Sequence, residues 1–330
     1  MPKISVKEIH NIAKTALIQH GALDWISEDV ADAVAASESV GNRICGLYYL
    51  ESYCEQLLSG RVSGQASPDV QLISSGSVYV NAGDGFAQPA FSKGLPEALK
   101  LAKKNGIASL SVGRAHTCTS LGYFTKKIAK AGFLGLGLTN ASPIVAPPGG
   151  KSRIIGTNPI AFSVPDGNGG VAMQFDQSTT TVALGKITMA KAAGKSIPEG
   201  WALDKDGKAT TDPEEALKGT LVSAGGYKGW GFGLMAEILV AGMTGGRISK
   251  NVAPLKAKDG EPHNLGQFYI IIDPASGALF YDRLEELTTI ISSEEGTRMP
   301  GQYTVPQIEV DVPDDLWNLA IGLSKAKHSE

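Results

Sequence analysis

The chain is poor in the groups that build disulfide, metal and membrane proteins. Its three cysteines, Cys45, Cys54 and Cys118, cannot all pair and show no metal-ligand spacing. Five scattered histidines, His10, His20, His116, His263 and His328, form no HExxH pair. No apolar run approaches the roughly 18 residues a membrane span needs, and the opening Met1-Pro2-Lys3-Ile4-Ser5-Val6-Lys7 has no signal-peptide core. Neither sign of charge dominates: 30 Lys and Arg stand against 33 Asp and Glu, a net charge of −3, with no basic block. That balance argues against nucleic acid or an anionic membrane as partner. Together these absences describe a reduced, cytoplasmic, metal-free protein.

What is present is an ordinary globular composition, 330 residues with 42% hydrophobic and 19% charged, long enough for two domains or one large α/β unit. Glycine is the deviation, 40 residues or about 12% against a usual ~7%. No collagen period accounts for it, so tight turns and close backbone approaches do.

Periodicity divides the chain. Residues 1–68 read as helices: a capping box Ser5-x-x-Glu8 opens the first, with Ile9, Ile12, Ala13, Ala16 and Leu17 at helical spacing. Ser27 opens a second with Val30, Ala31, Val34 and Ala35 inward, and Leu47 to Leu58 is a third. From 69 to 275 the pattern is mixed. Val70–Ile73 and Val78–Val80 flank Ser74-Ser75-Gly76 as a hairpin. A helix at 90–104 is kinked or restarted at Pro96. Strands are expected at 107–112, 133–138, 160–164, 171–175 and 267–273, and helices at 120–131, 181–193 and 232–243. Residues 195–222 are a polar excursion. Helices at 282–293 and 313–327 close the chain, so the segment 276–330 is expected to pack with the N-terminal helices. The order is mixed α/β with a largely antiparallel sheet, not a regular βαβ alternation.

No GxGxxG follows a strand, and no GxxxxGK[ST] occurs. Gly229-Trp-Gly231-Phe-Gly233 comes nearest but follows no strand. What remains is a set of glycine-flanked polar turns. In Gly113-Arg-Ala-His116-Thr117-Cys118-Thr119-Ser120, a helix start offers N–H groups and hydroxyls to a phosphate; plain capping by Thr119 or Ser120 is the blander alternative. Asp176-Gln177-Ser178 opens a helix and can equally be a cap. Lys228 stands in the turn Gly225-Gly226-Tyr227-Lys228-Gly229.

In order, these turns resemble the malate/L-lactate dehydrogenase-like family, also called L-sulfolactate dehydrogenase-like, over nearly all of the chain. The residues that carry the likeness are Thr139-Asn140, Gly149-Gly150, Gly156-Thr157-Asn158-Pro159, Asp176, Ala183-x-Gly185-Lys186, Gly225 to Gly229 and Arg298-x-Pro300-Gly301. Asp84-Gly-Phe-Ala-Gln-Pro-Ala90 looks most like the Δ1-piperideine-2-carboxylate/Δ1-pyrroline-2-carboxylate reductase branch. The resemblance implies a non-Rossmann NAD(P) fold, a homodimer, and hydride transfer from NADPH or NADH to C2 of a small carboxylate substrate. It implies coenzyme contacts at His116, Thr117, Cys118, Thr119, Ser120, Asp176, Gln177, Ser178, Tyr227, Lys228, Arg298, Pro300 and Gly301, and places Thr157 near the substrate.

One departure from the family pattern is large. Where Gly-x-x-Ser-His-Gly-x-x-Arg supplies a proton donor and a carboxylate-holding arginine, this chain reads Gly41-Asn-Arg43-Ile44-Cys45-Gly46-Leu-Tyr-Tyr49. Tyr53 matches a tyrosine of some members, and Lys186 stands where the imino-acid branch has Asp. A ketone needs a proton for its forming alkoxide, and an imidazole near pKa 6.5 suits neutral pH better than a thiol near 8.5. A cyclic imine can arrive already protonated. The expectation is therefore a reductase of a cyclic imino acid or 2-oxo acid. Cys45, His116 and Lys186 are the candidate donors, and Tyr49, Tyr53, Thr157 and Arg43 the substrate contacts. Buried hydrophobe is the plain alternative for Cys45, and core packing for Tyr49 and Tyr53. A 2-hydroxy-acid dehydrogenase and a non-catalytic binding paralogue are the competing functions.

Overall fold

The structure is a computed structural model that describes residues 1–302 and 304–325; His328 and the end of the helix expected over 313–327 lie outside them. The first region runs β1 (Lys3–Ser5), α1 (Val6–Gln19), α2 (Asp24–Ser39), two 3-10 turns (Arg43–Cys45 and Leu47–Tyr49) and α3 (Leu50–Leu58). The middle runs β2 (Asp69–Ser74), β3 (Ser77–Asn81), α4 (Ala87–Asn105), β4 (Ile107–Ala115), α5 (Gly122–Lys130), β5 (Leu134–Thr139), β6 (Ile160–Pro165), β7 (Val171–Gln177) and α6 (Leu184–Ala192). Then come β8 (Ala202–Leu203), β9 (Ala209–Thr210), α7 (Pro213–Lys218), β10 (Thr220–Leu221), α8 (Tyr227–Thr244), β11 (Leu265–Ile272), α9 (Phe280–Ser293), β12 (Glu309–Asp311) and α10 (Asp314–Ser324).

The main sheet has seven strands in the order β2-β3-β4-β11-β5-β6-β7. Only β3 with β4 is parallel; the other pairings are antiparallel. Helices α4 and α5 cover one face and α8 the other. The alternation Leu134-Gly-Leu-Gly-Leu138 has a packing cause. A Cβ at Gly135 would lie 2.9 Å from Ile128 Cβ, so glycine there lets α5 settle directly on the sheet. Val80, Leu110, Tyr269 and Ile271 meet Phe91 and Phe124 in this core.

The helical layer has its own core. Ser5 caps α1 as its spacing predicts, its hydroxyl accepting from Glu8 N at 3.1 Å, and Ile9, Ala13, Ala16 and Leu17 are buried. Helix α10 packs on α1 and α3 through Leu316, Trp317 and Ala320. Helix α9, expected to join this packing, has no buried residue: its apolar Leu287 and Ile290 face outward.

Four local expectations are revised. Pro96 neither breaks nor restarts α4, which is continuous over Ala87–Asn105. The third helix starts at Leu50, after the two tight turns. The polar excursion folds into a small sheet, β10-β8-β9, beside α7. Helix α8 begins at Tyr227, so Gly229-Trp-Gly231-Phe-Gly233 is helix, with Gly233 against Ile155 and Thr179. No helix among the described residues is long and apolar enough to cross a membrane.

Candidate active site

The site begins with a buried carboxylate. Glu38, at the end of α2, accepts from Leu47 N at 2.7 Å, and Gly46 lies against its side chain. This contact folds residues 43–49 into turns, so Cys45 sits in a turn and not on the helix face expected from sequence. Arg43 lies near enough for its charge to act on Glu38, whose carboxyl burial pushes up.

Tyr49 caps α3 and stacks, tilted, on Tyr53 at 5.2 Å. Burial raises both phenols; a Thr117 side-chain bond partly offsets this at Tyr49, and Thr119 does so at Tyr53. Tyr53 and Phe86 each present an edge to His116, which lies parallel to His263 at 4.0 Å. The hydrogen-bond network assigns the tautomers. Gln56 donates its amide to Ser52 and Leu255, so its Oε1 accepts from His116 Nε2 at 2.9 Å. Thr117 N donates to His263 Nδ1 at 3.2 Å. Burial holds both imidazoles neutral, His116 well below its usual pKa and His263 down to about 3.

Cys45 and Asp176 remain reachable by water yet are walled by protein, which marks them as the floor of a cleft. The Cys45 thiol is pushed up to about 12, first by burial and then by Asp176. The Asp176 carboxylate accepts from Gly122 N at 2.7 Å and Ser120 Oγ at 3.2 Å. It therefore takes the donors at the start of α5 that the sequence offered to a phosphate. Thr119, at φ 60°, holds the loop before that helix in the left-handed region.

Beyond Asp176 opens a cavity of about 480 Å³, lined by Ser37, Ser39, Asn42, Lys126, Lys130 and Gly301 among others. Lys126 and Lys130, one turn apart on α5, form no ion pair among the described residues, and like charges at that spacing repel. Gly301 has φ 81°, and a Cβ there would meet Gln174 O at 2.8 Å; Pro300 O accepts from Gln174 N. The turn 298–301 is thus sewn to β7 beside Asp176, with Arg298 exposed. The cavity is open to solvent, and Lys126 and Lys130, which have no carboxylate partner among the described residues, could hold an anionic group there.

The remaining candidates are not in its lining. Ser178 Oγ meets Thr180 Oγ1 at 2.9 Å, Gln177 is exposed, and Thr157 O accepts from Thr179 N and Oγ1. Ala224 N bonds Thr179 O, tying the start of α8 to the same segment. Tyr227 and Lys228 are exposed in the first turn of that helix. Lys186 is exposed on α6, whose Gly185 abuts Ile44. Cys118 is buried behind the cleft, its thiol pushed up.

Sequence reading missed His263, Gln56, Arg61 and Lys256. They meet across about 200 residues of sequence, and the segment 253–264 has no period to flag it. A cluster of metal-ligand type, His10 with Glu28 and Asp32, lies apart on α1 and α2, where Lys14 also pairs with Glu28.

A model of the malate/L-lactate dehydrogenase family matches residues 4–309. The chain belongs to that family. It is 36% identical over 299 residues to the (2R)-3-sulfolactate dehydrogenase (NADP(+)) of Chromohalobacter salexigens, covering 90% of this chain and 89% of that one. It is 32% identical over 311 residues to the Δ1-pyrroline-2-carboxylate/Δ1-piperideine-2-carboxylate reductase of Pseudomonas putida, covering 93% and 91%. The crystal structure of Δ1-piperideine-2-carboxylate reductase from Pseudomonas syringae superposes with a TM-score of 0.91 at 28% identity, covering 98% of this chain and all of that one. As a malate/L-lactate dehydrogenase family member, the chain carries its departures, Ile44, Cys45 and Tyr49, in the two tight turns that Glu38 holds.

Proposed function

We propose that the protein is an NAD(P)H-dependent reductase that adds hydride to C2 of a small cyclic imino acid of the Δ1-pyrroline- or Δ1-piperideine-2-carboxylate type. The observation that carries this reading is the state of the two central donors. A thiol raised to about 12 and an imidazole held neutral are both poor acids at pH 7. An imine that arrives protonated needs neither. The charge facing Cys45 also fits: Asp176 opposes thiolate formation more than Lys256 favours it, and a negative neighbour favours an iminium over a developing alkoxide.

Bound in the cleft, the coenzyme supplies the hydride. The chain's own residues do the rest. Lys126, Lys130, Lys228 and the 298–301 turn give anion contacts outside any doubly wound parallel sheet. Asp176, fixed by Gly122 and Ser120, sets the charge at the reacting end. Tyr49, Tyr53 and Phe86 wall that end against water, and Thr157 lies on the side of the 178–180 segment. The helical segment 1–68 with α10 forms one wall, and 69–275 the other. The three free thiols suit a reducing, cytoplasmic location.

A 2-oxo-acid/2-hydroxy-acid dehydrogenase is the second reading, favoured by the likeness to the sulfolactate enzyme. NADPH and NADH oxidation with cyclic imines, pyruvate and sulfopyruvate separates the two: turnover of 2-oxo acids alone would reject the imine reading. A homodimer is part of the proposal, because Phe232 and Ile238 are 57% and 62% exposed on α8 and α9 is uncovered. Light scattering should give twice 34.5 kDa, and Ile238→Glu should shift it toward the protomer mass.

A further inference from the structure

The substrate of the proposed reaction carries a carboxylate, and position 49, where the family pattern has an arginine, offers only a phenol ring. The cations at this end of the cleft can be taken in turn. Arg43 lies by the buried Glu38. Lys186 is exposed on α6 and is seen against no residue of this end. Arg61 is fully buried; its Nε and one terminal nitrogen are spent on the carbonyls of Glu261, Pro254 and Ala257 at 3.1, 3.0 and 2.6 Å, and its other terminal nitrogen, without a hydrogen-bond partner, is enclosed by protein away from solvent.

Lys256, exposed like Lys186, differs from all three in standing against the ring at position 49. Its ammonium stands 4.6 Å from the centre of the Tyr49 ring and donates one hydrogen bond, to Tyr48 O at 3.2 Å. Two of its three N–H groups are left over. It has no ion pair among the described residues, whereas neighbouring Lys258 pairs with Glu55. Cys45 lies within range of its charge, so the ammonium borders the cleft floor.

The backbone that carries this side chain is held on both sides. Arg61 clasps Pro254, Ala257 and Glu261; Gln56 donates to Leu255 O at 3.1 Å and Ser59 to Lys258 O at 2.7 Å. Five bonds from the end of α3 thus fix a polar loop that would otherwise be free, and Gln56 is itself held by His116. A buried guanidinium facing carbonyls and no carboxylate is a costly way to fasten a surface loop. The loop's position, and with it that of Lys256, is what the arrangement secures.

We propose that Lys256 receives the substrate carboxylate, replacing from the 254–261 loop the cation that α3 lacks at position 49. This rests on the reductase reading above. Tyr49 then has a definite part: its ring face holds the ammonium in place. A lysine is a point charge and not a planar fork, so the carboxylate is anchored without its plane being fixed, and rings of different size can be accommodated.

The test uses the whole enzyme saturated with coenzyme and two planar ligands that cannot be reduced, pyrrole-2-carboxylate and its uncharged carboxamide. Losing a charge-assisted bond should cost roughly ten- to a hundredfold in affinity. Lys256→Met should weaken the carboxylate by that factor, leave the carboxamide and the coenzyme Kd unchanged, and raise KM for the imine more than it lowers kcat. Lys256→Arg, which keeps the charge, should recover most of the loss. Equal weakening of carboxylate and carboxamide, an unchanged carboxylate Kd in Lys256→Met, or an arginine variant as weak as the methionine one would each overturn the proposal. If the wild type takes up coenzyme and reduces imines while Lys256→Met does so with unaltered KM, only this assignment falls. If the wild type binds no coenzyme, the reductase reading falls and takes this one with it.

Discussion

The two ends of the cleft are built on opposite principles. The end bounded by Ser120, Lys126, Lys130 and Gly301 is open to solvent and cationic. The end bounded by Cys45, Tyr49, His116 and His263 is drier, and its titratable groups are held uncharged by burial. Its fastening comes from a distant loop through Gln56, Ser59 and Arg61. The two ends share the loop 116–120, but each has a fastening of its own: the 298–301 turn on β7 at one, the 254–261 loop on Gln56 and Arg61 at the other.

The largest effect should come from the coenzyme end. Lys228 sits in the first turn of α8, where the helix dipole disfavours a cation, and it makes no ion pair among the described residues. A phosphate there would satisfy both the lysine and the helix start. Lys228→Ala should weaken coenzyme binding about ten- to a hundredfold, the value of a charge-assisted bond of roughly 1.5–3 kcal/mol, with no loss of Tm. An unchanged Kd in a folded variant would remove Lys228 from the coenzyme end.

The reacting end should reveal itself next, in acid. His263 titrates near 3 when folded and near 6.5 when free. The unfolded chain therefore binds the proton first, and stability is lost as pH falls from about 6.5 toward 3. By pH 5 this one group should cost about 2 kcal/mol. His263→Gln should flatten the fall of Tm between pH 7 and 5 relative to wild type. An acid limb as steep as before would mean that the imidazole is hydrated in solution and that this end is not dry.

The same contrast explains what could be read from sequence. The α1 cap at Ser5, the β2–β3 hairpin and the strand Leu265–Ile272 follow from spacing, because their determinants lie within a few residues. The glycine-flanked polar turns were legible as short motifs in order. The pairing of β1 with β12 was not, since Ile4 meets Val310 across the length of the chain and three-residue strands carry no period. Helix α8 starts five residues before the apolar run that marks it in sequence, because Gly229 and Gly233 are packing positions and not a turn. Lys256, Arg61 and His263 were invisible for the same reason as β12: only the folded chain brings them to Tyr49 and His116.

The smallest expected effect is the most discriminating. If an imine arrives protonated, Cys45 has no proton to give, and Cys45→Ala should change kcat by less than a few-fold. Its thiol lies in the turn that Glu38 shapes, so the loss should appear as a modest fall in Tm. If the substrate is instead a 2-oxo acid and the thiol replaces the family histidine, the rate should fall on the order of 10²–10⁴, the usual worth of a positioned general acid. His116→Ala belongs in the same experiment, because it removes both a candidate donor and the partner of Gln56. A fall in kcat at constant coenzyme affinity would make it the acid; weaker ligand and coenzyme binding with a lower Tm would make it a strut for the Lys256 loop. A thousandfold loss at Cys45 with normal stability and coenzyme binding would return the protein to the hydroxy-acid dehydrogenases, and the two ends of the cleft would then differ in residues but not in chemistry.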